Sequence, residues 1–309
     1  MGIVVLRQDG KTDEWKRALR NFAPEVPVYS AEEPHPKAEI EMALVWKHPK
    51  GSLSEYPNLK CIASSGAGVD FIFKDTQAPL HLPITRVVDP ILAKDMAEHV
   101  IATVFAHLKN VNTYKLQQFD QTWKSRTYLR MKEVTIGILG LGELGAFTAT
   151  ELSAIGFKVQ GWSRSQKKIT SVTTFNGPDQ LDLFLGSTDV LVCLLPLTPN
   201  TQGILNKKIF EKLPKNAFLI NVARGGHLND DDLLEALDSG HLSGAALDVF
   251  HTEPLPGPHP FWQHPKVHMS PHCASVSDTE SVVPQIIANY KRLKTGKALE
   301  NEISKTQGY

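Results

Sequence analysis

The stretch that most restricts the fold is Val134–Gly145, VTIGILGLGELG. A short apolar run, Thr135–Leu139, leads straight into Gly140, Gly142 and Gly145 at G-x-G-x-x-G spacing. A helical pattern follows at once, with Leu144, Phe147, Leu152 and Ile155 on one face. Glycine spacing alone marks only a turn. Between a buried strand and a helix it does more, because bare backbone lets a pyrophosphate approach and the amides that open the helix face its charge. Dinucleotide contacts are therefore expected at Gly140, Gly142, Glu143, Leu144 and Gly145.

The rest of the chain agrees with a βα architecture. Strands are expected at Ile3–Leu6, Ala43–Trp46 and Cys61–Ser64, and after the glycine turn at Lys158–Trp162, Val190–Leu194, Ala217–Asn221, Ala245–Val249 and Val267–Met269. Helices are expected at Leu144–Ile155 and Asp230–Ser239. Alternating strands and helices predict parallel sheets. Met96, Val100, Ile101, Val104, Phe105, Leu108 and Val111 recur at helical spacing and predict one long helix from Asp95 to about Phe119. A last helix is expected at about Asp278–Lys294, which requires Pro284 to lie in its first turn. Two long helices bracketing a central series predict a discontinuous outer domain, 1–98 with 275–309, around a dinucleotide domain at 99–274. A chain of 309 residues is long enough for both cores.

Composition excludes several function classes. Lys plus Arg equals Asp plus Glu, 33 each, so no global field draws in nucleic acid or an anionic membrane. The 3 cysteines, Cys61, Cys193 and Cys273, have neither metal-ligand spacing nor a disulfide framework, so no metal is expected and a reducing compartment is. The opening apolar run is too short for a signal peptide, no segment has membrane length, and Leu6 spoils a myristoylation reading of Gly2. A cytoplasmic protein is expected.

About 20 residues past the glycine turn, an NAD-binding sheet places Asp or Glu on the ribose 2′-hydroxyl. Here the positions hold Ser163, Arg164 and Ser165, with Lys167 and Lys168 behind them. A carboxylate would repel a 2′-phosphate, whereas a guanidinium forks onto it and hydroxyls donate to it. NADPH is the expected cofactor, with NADH weaker; the plainer reading is a solvated basic turn.

Further along, NVARGG puts Arg224 after one expected strand, LDVFHTEPLP puts Asp248 at the end of another with Glu253 beyond, and VHMSPHCAS puts His272 after the last. Ligands of open parallel sheets collect at such carboxyl ends. The set suits carbonyl reduction. A histidinium can protonate the oxygen that gains charge, a carboxylate keeps that histidine charged near neutral pH, and an arginine grips a substrate carboxylate. Each alone is weak, since the chain has 12 histidines and a strand-end histidine is commonly an ordinary polar residue.

Together GILGLGELG, LLPLTPNTQGILN, NVARGGHLNDDDLLEALDSGHLSGAALDVFHTEPLP and SPHCA resemble the D-isomer-specific 2-hydroxyacid dehydrogenase family over nearly the whole chain. The resemblance implies a fold of two Rossmann-like domains: a flavodoxin-like outer substrate domain and an NAD(P)-binding doubly wound parallel sheet. It implies that Arg224, Glu253 and His272 are catalytic, with His272 the proton donor. Asp248 resembles the residue that meets the nicotinamide carboxamide, and Leu195, Pro196, Thr201, Val222 and Ala223 fall on cofactor-contacting stretches. ALVWKHP, SSGAGVDFI and ILAKDMAEHV are similar to the glyoxylate/hydroxypyruvate reductase A subgroup. This places Trp46, Ala67 and Gly68, with Arg224 and His272, around a small 2-oxo acid that enters between the two lobes. Core packing is the plain alternative for Trp46, and a tight turn is the alternative for Gly66–Gly68; Met96, at the start of the long helix, is expected either to touch the nicotinamide side or to pack on the helix face. Lys47 adds charge beside Trp46. Cys273 stands where a small residue is usual, and nothing makes it a nucleophile.

The family also implies a homodimer through the cofactor domain, with QQFDQTWKSRTYLRM reaching across and Trp123 approaching a neighbouring site. Two other readings stay open on sequence alone. One is a different D-2-hydroxyacid dehydrogenase of D-lactate, phosphoglycerate or formate type. The other is a dinucleotide-sensing binding protein like the C-terminal binding protein co-repressor, which keeps the same trio.

Overall fold

The structure, a computed structural model, describes residues 2–309, and within it the chain divides into two compact units. One holds the chain up to Leu92 together with Val276–Tyr309, and the other holds Ala93–Ser275. Each unit is built on its own all-parallel sheet.

The first unit contains β1 (Gly2–Arg7), β2 (Val28–Ser30), β3 (Ile40–Trp46), β4 (Cys61–Ser64) and β5 (Ile84–Thr85), in the flavodoxin-like order β2-β1-β3-β4-β5. The central strands are covered on both faces, which is why they read as continuous apolar runs instead of alternating ones. Helix Thr12–Phe22 turns Trp15 and Leu19 inward, one helical turn apart, and packs against Thr279–Lys294, which buries Val282, Val283, Ile286, Ile287 and Tyr290. Asp278 caps that second helix by accepting from the Ser281 N–H at 2.9 Å. Pro284 is the sixth residue of the helix, so it lies in the second turn, not the first as the sequence pattern required. The missing N–H costs one bond to the Glu280 carbonyl, and the buried residues on either side hold the helix across it.

The second unit contains β6 (Thr135–Leu139), β7 (Lys158–Ser163), β8 (Thr173–Asn176), β9 (Val190–Cys193), β10 (Ala217–Asn221), β11 (Leu242–Leu247) and β12 (Val267–Met269), in the order β12-β11-β10-β9-β6-β7-β8. Strand alternation feeds two separate cores. Ile136, Ile138, Val190, Val192, Phe218 and Ile220 pack on one face with Val100, Val104 and Leu152. Leu139, Leu191, Cys193, Ala217 and Leu219 pack on the other with Phe184, Leu233 and Leu237. This is a doubly wound sheet. Met96 is buried in the first of these cores.

Two sequence-based boundaries shift. The helix expected from Asp95 to Phe119 is two helices, Pro90–Leu108 and Val111–Phe119. Asn110 breaks it with a left-handed backbone (φ 57°), and its side-chain amide donates to the Thr127 carbonyl at 3.0 Å. The helix after the break buries no residue, so the apolar period ends at Leu108 and Val111 only appeared to extend it. The strand expected at Ala245–Val249 runs Leu242–Leu247 instead. Gly244 hid its start, yet the space of its absent side chain is filled by the Phe218 ring and the Lys266 carbonyl.

The break at Asn110 predicts its own test. Asn110→Ala is expected to lose about 1–2 kcal/mol in urea unfolding, because a Cβ without a local polar partner strains that conformation, whereas Asn110→Gly loses less. Equal stability of the Ala variant and the parent would contradict the assignment.

Candidate active site

The second sheet reverses direction at β6: the chain runs outward through β7 and β8, then returns to lay β9 on the other side. Ligands of such sheets bind outside the carboxyl ends of strands at this switch point. The glycine turn leaves β6 there. Gly140 has φ 111°, and a Cβ on it would stand 2.8 Å from the Leu194 carbonyl group. A Cβ on Gly145 would stand 1.8 Å from the Gly140 oxygen, so only glycine lets helix Glu143–Ala154 start so close to the strand. A Cβ on Gly142 would meet nothing within 4 Å, and no side chain caps the helix. The amides of Glu143, Leu144 and Gly145 open onto that space, a fit for a pyrophosphate.

At the end of β7 the Ser163 hydroxyl donates to the Ser165 carbonyl at 2.6 Å, and Ser163 is buried. Ser163 therefore shapes the basic turn, while Arg164, Ser165, Lys167 and Lys168 are exposed on it. In the loop after β9, Leu195 is buried and Thr201 folds the loop on itself: its hydroxyl accepts from the Thr198 N–H at 2.9 Å and donates to the Pro196 carbonyl at 2.7 Å. Val222 and Ala223, past β10, are buried in opposite cores, so only their backbone faces outward.

Three neighbouring strands, β10, β11 and β12, lead into Arg224, Asp248 with Glu253, and His272. His272 lies just past β12 with φ 52°, unusual for a residue with a Cβ, and its Nδ1 lies 2.8 Å from Glu253 Oε2. Glu253 is itself aimed by the Phe250 N–H, which donates to Oε1 at 3.1 Å. With Nδ1–H given to the carboxylate, Nε2 is the nitrogen left to act, and among the described residues no hydrogen bond engages it. Asp248, past β11, explains how His272 holds its backbone. Its carboxylate accepts from the Ser270 hydroxyl at 2.6 Å and from the N–H groups of Cys273 and Ala274, both at 2.9 Å. Its carbonyl accepts the His272 N–H at 2.8 Å. Asp248 is only 2% exposed and grips the turn on both sides of the imidazole.

Arg224 leaves β10 half-buried, with Nη1 donating to the Ala223 carbonyl at 2.7 Å. The next residue fixes its neighbours, since a Cβ on Gly225 would stand 2.0 Å from the Phe250 carbonyl carbon. Arginine turn and glutamate loop thus press backbone to backbone. Cys273 is exposed, not buried as small residues at such a position often are. Partial desolvation of its sulfur and then the Asp248 charge push its thiol above the ordinary range, which argues against a nucleophile.

In the first unit, Trp46 ends β3 with its ring against Gly66, where a Cβ would stand 2.3 Å from the indole, and with Phe71 edge-on at 5.4 Å. The Ser64 hydroxyl accepts the Gly66 N–H at 3.2 Å, so Gly66 has no amide to offer a ligand. Among the described residues no hydrogen bond engages the amides of Ala67 or Gly68. Lys47 follows Trp46 with φ 45°. Sequence reasoning missed Asn221, His227 and Ser270, which build the turns. A polar residue at the end of a buried strand, as in NVARGG, is the signal that marks Asn221. No three-residue cluster able to hold a metal occurs among the described residues, and no helix there is long and apolar enough to cross a membrane.

Residues 101–274 match the family described as D-isomer specific 2-hydroxyacid dehydrogenase, NAD binding domain. The whole chain is 39% identical to all of a glyoxylate/hydroxypyruvate reductase A from Serratia proteamaculans. It is 40% identical to one from Yersinia enterocolitica, over 87% of this chain and 88% of that one. In three dimensions it resembles a D-isomer specific 2-hydroxyacid dehydrogenase from Xanthobacter autotrophicus solved with NADPH and MES (TM-score 0.94, 36% identity, 100% of this chain and 99% of that). It also resembles an NADPH-dependent glyoxylate/hydroxypyruvate reductase from Sinorhizobium meliloti solved with NADP and sulfate (TM-score 0.92, 37% identity, 100% and 99%).

The grip of Asp248 is open to direct measurement. In Asp248→Asn, amide exchange at Cys273 and Ala274 is expected to speed up by about tenfold or more, because an amide cannot accept at both ends. Unchanged protection of those amides would show that something else holds the turn.

Proposed function

The chain belongs to the D-isomer specific 2-hydroxyacid dehydrogenase family, and from that premise we propose that it is an NADPH-dependent reductase of short 2-oxo acids, turning glyoxylate into glycolate and hydroxypyruvate into D-glycerate. The observation that carries this reading is the His272–Glu253 pair at 2.8 Å, set at the carboxyl end of the same sheet as the glycine turn. The substrate class follows the relatives' names, and the cofactor follows both the basic turn and the neighbours solved with NADPH or NADP.

Gly140, Gly142, Gly145 and the amides of Glu143 and Leu144 would hold the pyrophosphate, and Arg164 and Ser165 the 2′-phosphate. When bound, the nicotinamide supplies a hydride to C2 of the substrate. Arg224 binds the substrate carboxylate and polarises the adjacent carbonyl. His272 Nε2–H gives its proton to the oxygen as charge gathers there, while Glu253 keeps Nδ1–H aimed and offsets the imidazolium charge. In the first unit, Trp46, Ala67 and Gly68 are assigned to substrate binding, the amides of Ala67 and Gly68 being suited to an anionic oxygen and the Trp46 indole to limiting size.

Turnover tests the roles. Arg224→Ala and His272→Ala are each expected to lower kcat/KM for glyoxylate by about a hundredfold or more, with NADPH affinity within about twofold of the parent. Wild-type-like turnover in either would overturn its role. Arg164→Ala is expected to raise the KM for NADPH by about tenfold and leave that for NADH unchanged, since one charge-assisted phosphate contact is lost. Equal change for both cofactors would refute the 2′-phosphate assignment. Turnover of glyoxylate, hydroxypyruvate, pyruvate and phenylpyruvate separates this reading from a D-lactate or phosphoglycerate enzyme, and no turnover with any of them would favour a binding protein.

The working state is a homodimer. Helix Val111–Phe119 buries none of its residues, and Phe119 and Trp123 are 88% and 102% exposed. Apolar surface of that kind calls for a covering partner. Sedimentation is expected to give twice the chain mass, and Phe119→Lys with Trp123→Lys to give the monomer; a monomeric parent would contradict this. A reducing compartment, the cytoplasm, fits the unpaired Cys61 and Cys193, whose thiols burial pushes up to about 12.

A further inference from the structure

His227 is a fully buried titratable side chain that the reaction above does not use. It closes the single 3-10 turn Gly225–His227 that follows Arg224. Its ring Nδ1 lies 3.1 Å from the Arg224 carbonyl oxygen, and its Nε2 lies 3.3 Å from the Pro196 carbonyl oxygen. One imidazole therefore stands between the loop after β9 and the arginine turn after β10. Both sides are already tied down. The Pro196 oxygen has a donor in the Thr201 hydroxyl at 2.7 Å, and the N–H groups of Gly203 and Leu205 donate to the carbonyls of Gly226 and His227 at 2.9 and 2.8 Å.

The Arg224 carbonyl is the centre of the arrangement. The Asn221 side-chain amide donates to it at 3.1 Å and the His227 N–H at 3.2 Å, alongside the imidazole. The orientation of that peptide group fixes the backbone from which the guanidinium projects. No slack exists on the opposite side, where Gly225 presses on the Phe250–His251 backbone. A neutral imidazole carries one N–H and donates to one of its two oxygens. Nδ1 makes the shorter of the two contacts, 3.1 against 3.3 Å.

We propose that His227 is a positioning residue for Arg224: its Nδ1–H donates to the Arg224 carbonyl and holds the turn that presents the guanidinium to the substrate carboxylate. This rests on the reading of Arg224 as the carboxylate-binding residue. Ordering a binding group before the substrate arrives lowers the cost of binding, so loss of the contact appears mainly in KM.

Two substitutions separate the ring nitrogens. In His227→Asn the side-chain amide sits near the position of Nδ1, and in His227→Gln near that of Nε2. His227→Gln is expected to raise the KM for glyoxylate by about tenfold, with kcat and NADPH affinity each within about threefold of the parent, whereas His227→Asn recovers most of the lost affinity. Equal KM in His227→Gln and the parent, or equal impairment in both variants, overturns the proposal. Arg224→Ala run beside them distinguishes the two failures. If it leaves KM and kcat unchanged, the reading of Arg224 falls; if it abolishes turnover while His227→Gln behaves as the parent, only the positioning role falls. Nitrogen NMR of His227 in the parent protein needs no variant to fold: a hydrogen on Nδ1 agrees with the proposal, and a ring bearing hydrogen only on Nε2 contradicts it.

Discussion

The 2.8 Å contact between His272 Nδ1 and Glu253 Oε2 is the interaction on which the proposed chemistry depends, and Asp248 and the Phe250 amide hold its two partners. Both partners are held by groups outside the pair. His272 occupies a left-handed backbone that a residue with a Cβ adopts at a cost of about 1 kcal/mol or more, and Asp248 holds it there with bonds to the turn on both sides. Glu253 takes its direction from the Phe250 amide, and that loop is pressed against the arginine turn at Gly225. Backbone and side-chain contacts outside the pair thus fix the geometry on which the proposed proton transfer rests. A carboxylate that fixes one imidazole nitrogen leaves the other free to transfer a proton, and this is the division of labour that carbonyl reduction requires.

Close backbone approach is the second constraint. Gly140, Gly145 and Gly225 each stand where a single added carbon would overlap backbone atoms. At the glycine turn this opens the helix amides to an anion; at Gly225 it brings two loops into one rigid assembly. The glycine turn and the arginine turn therefore share a device: backbone packed to contact, with no side chain to give way.

Much of this was legible in the sequence. The strand–turn–helix around Gly140, the basic turn in place of an acid, and the strand-end positions of Arg224, Asp248 and His272 all follow from pattern and chemistry. What escaped had physical causes. The strands Val28–Ser30 and Ile84–Thr85 are too short to show alternation, and Thr173–Asn176 is a polar edge. The break at Asn110 turns on one backbone conformation that hydrophobic periodicity cannot register. Pro284 was expected in a first turn, where its ring costs least, but buried neighbours carry the helix through it. The grip of Asp248 on the His272 turn was invisible because, the Ser270 hydroxyl apart, its partners are backbone amides, which no residue type announces.

The central proposed step is hydride reaching C2 of a 2-oxo acid while His272 protonates the oxygen. Turnover of hydroxypyruvate with NADPH deuterated at the transferring C4 position, followed by mass spectrometry and chiral analysis of the product, tests this most directly. The predicted result is D-glycerate with one deuterium, bonded to C2. Glycerate without deuterium at C2, or the L isomer, would contradict it.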